Sequence, residues 1–421
     1  MLNLQLFRTD KQLILDGLAK KHFKEIHFVD EIIALDEERR KIQAESDALL
    51  AAINASSKNI GAMMAQGKKA EAEKLKTEVA KHKDQSKTFI QQVTDIENSL
   101  QEKLLRLPNL PHTSVPLGKT PEENEVVRTE GNTPNLSAQK LPHWELTAKY
   151  DLIDFELGTK ITGSGFPVYK GKGARLQRAL ISYFLDYNTQ AGYREYYPPY
   201  MVNEASAFGT GQLPDKEGQM YHVTEDGLYL IPTAEVPVTN VYRDEILKDL
   251  PAKMTAYSPC FRREAGSYGK DVRGLNRVHQ FDKVEIVQLT HPDKSYETLE
   301  AMVAHVEKLL QSLELQYRIL RLCGGDMSFA SALTYDFEVY SAAQERWLEV
   351  SSVSNFESFQ TNRMKIRFRD ENGKTQLAHS LNGSSLALPR IVACLLENHQ
   401  TPEGIKLPEA LHPYFGDRII N

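Results

Sequence analysis

The chain carries no proline before Pro108, and from Val29 to Leu107 its apolar side chains recur at alternating steps of three and four. One series runs Ile32, Leu35, Ile42, Leu49, Ile53, Ile60 and Met63, with Arg39, Ser46 and Ser56 at intervening positions of the same stripe. A second runs Ala72, Leu75, Val79, Phe89, Val93, Ile96 and Leu100, interrupted at His82 and Ser86. A repeat of this kind is buried when two helices lie along one another, whereas a half-buried strand would show a period of two. Gly61 and Gly67, in NIGAMMAQGKKAE between the stripes, mark where the chain can reverse. The pattern predicts an antiparallel helical hairpin, a coiled-coil arm whose helices of about 35 residues each reach about 50 Å.

Charge is uneven along this arm. Asp30 to Asp47 holds seven acidic and three basic residues, whereas Lys58 to Lys83, around the expected tip, holds seven lysines against Glu71, Glu73 and Glu78. Spacing or dimerisation is the simplest use of such a hairpin. A lysine-rich tip also suits phosphate neutralisation, which makes Lys58, Lys68, Lys69 and Lys74 candidate contacts to a nucleic acid. The formal net charge of -6 does not oppose this, because local distribution decides phosphate binding.

Pro108, Pro111, Pro116 and Pro121 follow, and by composition 108–125 reads as a linker. Beyond it, helical patches such as ARLQRALISYFLDYNTQAGY and SYETLEAMVAHVEKLLQSL mix with β-rich runs such as KMTAYSPCFRRE, DKVEIVQL and ERWLEVSSVSN. Residues 366–379 read as a β-hairpin turning at ENG. Strands that follow one another through hairpin turns favour an α+β body, an antiparallel sheet flanked by helices, over a doubly wound parallel one. Neither a P-loop nor a Rossmann glycine fingerprint is present. No apolar run approaches the roughly 20 residues of a membrane span, and the start, MLNLQLFRTDKQLILDG, does not read as a signal peptide, so the expected location is cytoplasmic. Cys260, Cys323 and Cys394 form no CxxC pair, so reduced thiols and no zinc are expected.

The chemistry gathers in Ser258 to Glu285, where Arg262, Arg263, Lys270, Arg273, Arg277 and Lys283 alternate with Glu264, Asp271, Asp282 and Glu285, and Gly266, Gly269 and Gly274 break any helix. Two strands, SPCFRRE and VHQFDKVEIVQL, joined by a cationic loop would make a hairpin able to hold a polyanion. Further on, NGSSLALPRIVACLLENHQ reads as a turn feeding a helix, with Gly383 before its start and Arg390 early on it. A first-turn arginine is unfavourable against the helix dipole unless it meets an anion.

TAEVP (Thr233 to Pro237), CFRREAGSYGKDVRGLNRVHQFDKVE (Cys260 to Glu285), LEVSSVSNFESFQTNR (Leu348 to Arg363) and HSLNGSSLALPR (His379 to Arg390) resemble, in order and spacing, the signature segments of seryl-tRNA synthetases, a class II aminoacyl-tRNA synthetase family. The resemblance covers nearly the whole chain. It implies a tRNA-binding domain over 1–107 with its arm at about 29–107, and a class II aminoacylation domain over 126–421. It implies activation of L-serine with ATP and its transfer to serine tRNA, and to selenocysteine tRNA where the organism makes one. Arg262 matches the arginine bridging the amino-acid carboxylate and the α-phosphate, and Arg390 the one holding the γ-phosphate. Glu264 matches the residue reading the adenine edge and Phe281 the ring under the base. Val278 lies beside the base, Arg277 near the outer phosphates and Arg263 within the same ATP-binding segment. Glu349, Val350, Ser351 and Ser352 match the ATP segment that carries Mg²⁺, with Glu349 and Ser352 as ligands. Strand alternation puts those two on opposite faces, so both can face the nucleotide only across a bulge. Thr233, Ala234, Glu235, Glu285, Asn382 and Ser384 match the serine pocket, with Arg262 at its edge; Ser385 is the neighbour that could replace Ser384. GYREYYPPYMVN (Gly192 to Asn203) resembles the first class II motif, which implies a homodimer. Two other readings stay open at this point: a paralogue loading an acceptor other than tRNA, and a scaffold that kept the fold without the chemistry.

Overall fold

The computed structural model describes residues 1–136, 140–215, 217–265 and 273–421, so Gly266, Gly269, Lys270 and Asp271 lie outside the described residues. The chain divides into two units, one of residues 1–19 and 23–108, the other of 20–22 and 109–421.

In the first unit two helices dominate, α1 (His27–Ala65) and α2 (Lys69–Arg106). Gly61 stays inside α1, and the chain reverses at Gln66–Lys68, where Gly67 takes the left-handed φ of +76°. Ion pairs of Arg39 with Glu97 (3.8 Å) and of Lys103 with Glu31 fix the antiparallel register. Every expected seam residue is buried or half-buried. Asp36, next to the seam position Leu35, is only 2% exposed, although the repeat does not place it in the seam. Arg8 forks onto it from a preceding short helix (Nε to Oδ2 2.7 Å, Nη2 to Oδ1 2.9 Å), and Arg39 (3.1 Å) and Arg40 (3.3 Å) complete the pairing. The Arg8 hydrogen bond, above all, holds this carboxyl below its usual range. Asp30 and Glu31 are likewise paired, with Lys11 and Lys103. Three of the seven acidic residues at the root of the arm are thus paired from within. At the tip Lys58, Lys68, Lys69 and Lys74 are exposed, and among the described residues none of the four has an ion-pair partner within 4 Å.

The second unit is built on eight strands: β1 (Glu125–Glu130), β2 (Arg194–Tyr196), β3 (Ala252–Phe261), β4 (Gln280–Thr290), β5 (Tyr317–Arg321), β6 (Leu333–Ser341), β7 (Arg346–Asn355) and β8 (His379–Ala387). Their order is β1-β5-β6-β7-β8-β4-β3-β2. Every pairing is antiparallel except that of β2 with β3 at one edge. Helices α3 (Gly171–Gln190), α4 (Ser295–Ser312) and α5 (Leu388–Asn398) pack against the sheet, and Phe184, Ile286, Phe337, Val353 and Leu395 meet in the core. The architecture is α+β, as the hairpin-rich sequence implied. The expected 366–379 hairpin is present, Arg367–Arg369 against Thr375–Leu377.

Three local expectations are corrected. The proline-bearing 108–125 stretch is no free tether: Asn109 donates to the carbonyls of Ala330 and Phe356 (2.9 Å each) and Val115 joins the core, because proline's fixed φ suits a chain laid down on a surface as well as a spacer. Strand β3 ends at Phe261, so Arg262 to Glu264 lie beyond it, and Glu264 has a φ of +49° that no strand accommodates. Instead of a turn before α5, residues 379–387 form the central strand β8, because Gly383 and its serines are small enough to sit between two neighbours; the Gly383 Cβ position lies 3.0 Å from Val353.

Candidate active site

Strand alternation sends Phe281, Lys283 and Glu285 of β4 to one face. Across from them β3 offers only Cys260, Ser258 and Ala256, and β8 offers Ala387 and Ser384. Small neighbours on both sides leave room above the strand. A cleft of about 750 Å³, open solvent included, lies there, lined among others by Arg262, Glu264, Arg277, Val278, Phe281 and Arg390. Glu349, Val350, Ser351 and Ser384 line it as well.

Arg262 lies with its guanidinium 5.2 Å from the Phe281 ring centroid, its Nε donating to the carbonyl of Pro232 (3.4 Å). Arg277 pairs with Glu264 at 2.8 Å. Arg390, third residue of α5, donates to the carbonyls of Glu349 (2.7 Å) and Asn276 (3.1 Å) and lies 3.7 Å from the Glu349 carboxylate. Three guanidinium groups on different elements thus border one cleft, an arrangement suited to a polyphosphate. The return limb of the cationic loop is fastened from behind. His143 accepts the Leu275 amide at Nε2 (2.8 Å), which leaves Nδ1 to donate to Glu397 (2.6 Å). Gln344 joins Glu397 (2.9 Å) to Asn276 (2.9 Å). The backbone carrying Arg277 and Val278 is held by this buried network.

Beside the cleft Thr233, Ala234, Glu235, Glu285, Asn382 and Ser384 are all buried. Thr233 accepts the Glu235 amide (3.2 Å) and donates to Glu285 Oε2 (3.3 Å), which also meets Lys283 Nζ at 2.7 Å. Gln360 donates to Glu235 (2.6 Å) and is itself oriented by Ser380 (2.8 Å). Burial first, then the charge of Glu285, pushes the Glu235 carboxyl up to about 7. Two carboxylates against one lysine suit a small cationic ligand. Ser385 donates to Asn188 of α3 (2.9 Å), so Ser384 is the serine that faces the cleft.

The bulge required on β7 exists. Phe337 pairs with Ser351 and Glu338 with Glu349, so Val350 is the extra residue. It lets half-exposed Glu349 share a side of the strand with Ser352. Ser352 lies opposite Asp336, whose carboxyl Oδ1 is buried and, among the described residues, has no hydrogen-bond partner. Burial and then the nearby Glu349 charge raise the Asp336 carboxyl well above its usual range. Such an orphaned acceptor beside oxygen donors is what a hard cation would satisfy. Arg263 is not gathered with the others; its side chain is exposed and its amide donates to the Gln219 carbonyl (2.9 Å).

The description "Seryl-tRNA synthetase N-terminal domain" matches residues 1–111, and "tRNA synthetase class II core domain (G, H, P, S and T)" matches 221–399. A serine–tRNA ligase of Salinibacter ruber is 51% identical over 420 residues, 99% of this chain and 98% of that protein. The chain belongs to the seryl-tRNA synthetase family. A solved seryl-tRNA synthetase from Pyrococcus horikoshii, complexed with ATP, is 33% identical with a TM-score of 0.92, covering 100% of this chain and 99% of that one. The cytoplasmic serine–tRNA ligase of Naegleria fowleri, in complex with AMP, is 28% identical with a TM-score of 0.88, covering 100% and 99%.

Within this seryl-tRNA synthetase fold, sequence reasoning gave no role to Lys283, Asp336, His143 or Gln360. Lys283 had a signal, the alternation Phe281, Lys283, Glu285. Asp336 had none, because its partnership with Ser352 depends on the register of β6 against a bulged β7.

Proposed function

We propose that the chain activates L-serine with ATP and transfers the seryl group to the 3′ end of serine tRNA. The observation that carries this reading is Arg262, which borders an arginine-lined cleft whose neighbouring buried polar cluster holds two carboxyl groups, Glu235 and Glu285. The serine ammonium is held by Glu285 and Glu235, and its hydroxyl by the polar groups of Thr233, Asn382 and Ser384. Alanine and glycine leave those groups unpaired, a difference that separates substrates by several powers of ten. Arg262 draws the serine carboxylate and the α-phosphate together. A carboxylate oxygen attacks the α-phosphorus, the bond to the bridging oxygen breaks, and pyrophosphate leaves with the electron pair. Arg277 and Arg390 meet the outer phosphates, while Phe281 and Glu264 seat the adenine. In the second step the terminal ribose hydroxyl of the tRNA attacks the acyl carbon and AMP departs. Positioning and fixed cations do this work without a protein nucleophile.

Mg²⁺ fits the oxygen-only donors Glu349, Ser352 and Asp336; when bound it offsets phosphate charge. The lysine-rich tip of the arm supports tRNA binding, and selenocysteine tRNA is a second acceptor to be tried in the same transfer assay. A homodimer formed through Gly192–Asn203 is supported by Tyr197, 78% exposed, and exposed Met201; light scattering at a single-chain mass would exclude it. Among the described residues no helix is long and apolar enough to cross a membrane. The deciding experiment is exchange of labelled pyrophosphate into ATP with each amino acid in turn. Serine alone should support it fully, and absence of exchange with serine would overturn the reading.

A further inference from the structure

Lys283 is an unusual residue for a central strand. It is 7% exposed, flanked by β3 on one side and β8 on the other, and it borders the cleft. Lysine is rarely buried unless paired. Its ammonium lies 2.7 Å from Glu285 Oε2, the same oxygen that accepts from Thr233 at 3.3 Å. Both internal donors therefore address one oxygen of this carboxylate, which leaves Oε1 as the atom for a ligand. Charge leads to the same place. Glu235 and Glu285 are both buried, and the charge of Glu285 disfavours charge on Glu235. Among the described residues Lys283 is the one cation paired with either carboxyl group.

We propose that Lys283 is a positioning residue for amino-acid recognition: it pins Oε2 of Glu285 so that Oε1 is presented to the ammonium of serine. This rests on the serine-activating reading above. The lysine acts through Glu285 and is not assigned to ATP, whose seat at Phe281, Glu264 and Arg277 lies further along the cleft. Removing it should therefore separate the two substrates.

The test is pyrophosphate exchange by wild-type protein, K283M and K283R, with KM measured for serine and for ATP and thermal stability followed in parallel. K283M should raise the serine KM on the order of tenfold to a hundredfold, the cost of a misplaced binding group, with the ATP KM within about twofold. K283R restores the charge at a different length and should recover part of the loss. Where K283M does not fold, K283R decides alone: a raised serine KM with an unmoved ATP KM supports the proposal. Equal changes in both KM values, or lowered stability with unchanged serine KM, would show a merely structural lysine and overturn it. Wild-type protein without serine-dependent exchange would instead overturn the functional reading itself.

Discussion

Arg262 lies just past the end of β3, near the Phe281 ring and beside the serine pocket, so its position depends on where the strand stops rather than on a rigid helix. Its charge is needed where a carboxylate approaches a phosphate, and the fold does not depend on it. Arg262→Ala should lower serine-dependent exchange on the order of a hundredfold or more while circular dichroism and melting temperature stay near wild type. Near-normal exchange would remove Arg262 from the reaction. Glu235 supplies a pH signature. Its carboxyl rises from an ordinary 4.5 to about 7 on folding, through burial and then the charge of Glu285. Between those values the folded protein holds a proton that the unfolded chain has released. The stabilisation is therefore complete below about 4.5 and lost as pH rises through about 7. Glu235→Gln cannot titrate, so its melting temperature should fall less than that of wild type across this window. Parallel curves would place the proton elsewhere.

Among the helices and strands, what could be read in advance was whatever repeats. The two helices of the arm were legible because Ile32, Ile53, Val79 and Ile96 recur at helical spacing, and all four are buried in the structure. The β3–β4 pair was legible from its alternating apolar residues, but its end was not, since Arg262 to Glu264 would also suit a strand and only the left-handed Glu264 shows that they leave it. Asp36 illustrates a different gap: the repeat runs through Leu35 and Arg39 and gives no sign that Asp36 is buried, which depends on Arg8, remote in sequence, forking onto it. The same pairing sharpens the reading of the arm's charge, because Asp30, Glu31 and Asp36 at the root are occupied while, among the described residues, four lysines at the tip have no ion-pair partner. Replacing Lys58, Lys68, Lys69 and Lys74 with glutamine leaves the seam untouched. The dependence of tRNA affinity on salt should then flatten by about one unit of log-log slope for each phosphate that is no longer neutralised. An unchanged slope would mean that these lysines are solvated and nothing more.

For the chain taken entire, the division into two units predicts that adenylate chemistry and tRNA capture can be separated. Every residue assigned to serine or ATP lies in the second unit, residues 20–22 and 109–421. Excising the entire arm would be a poor experiment, because it would remove Asp36, the buried partner of Arg8. Removing 47–86 and closing the gap with a short turn keeps the Arg8–Asp36 and Lys103–Glu31 pairs and discards only the outer part of the hairpin with its lysines. The shortened protein should exchange pyrophosphate with serine at close to the full rate, because no group that touches either substrate has been moved. Transfer of serine to tRNA should fall steeply and should not be rescued by more serine or ATP, only by much more tRNA, as expected when uniform binding of one substrate is removed. Loss of exchange together with transfer would show that the arm supports the fold of the second unit. Full transfer by the shortened protein would make the hairpin a spacer and leave tRNA recognition to the second unit.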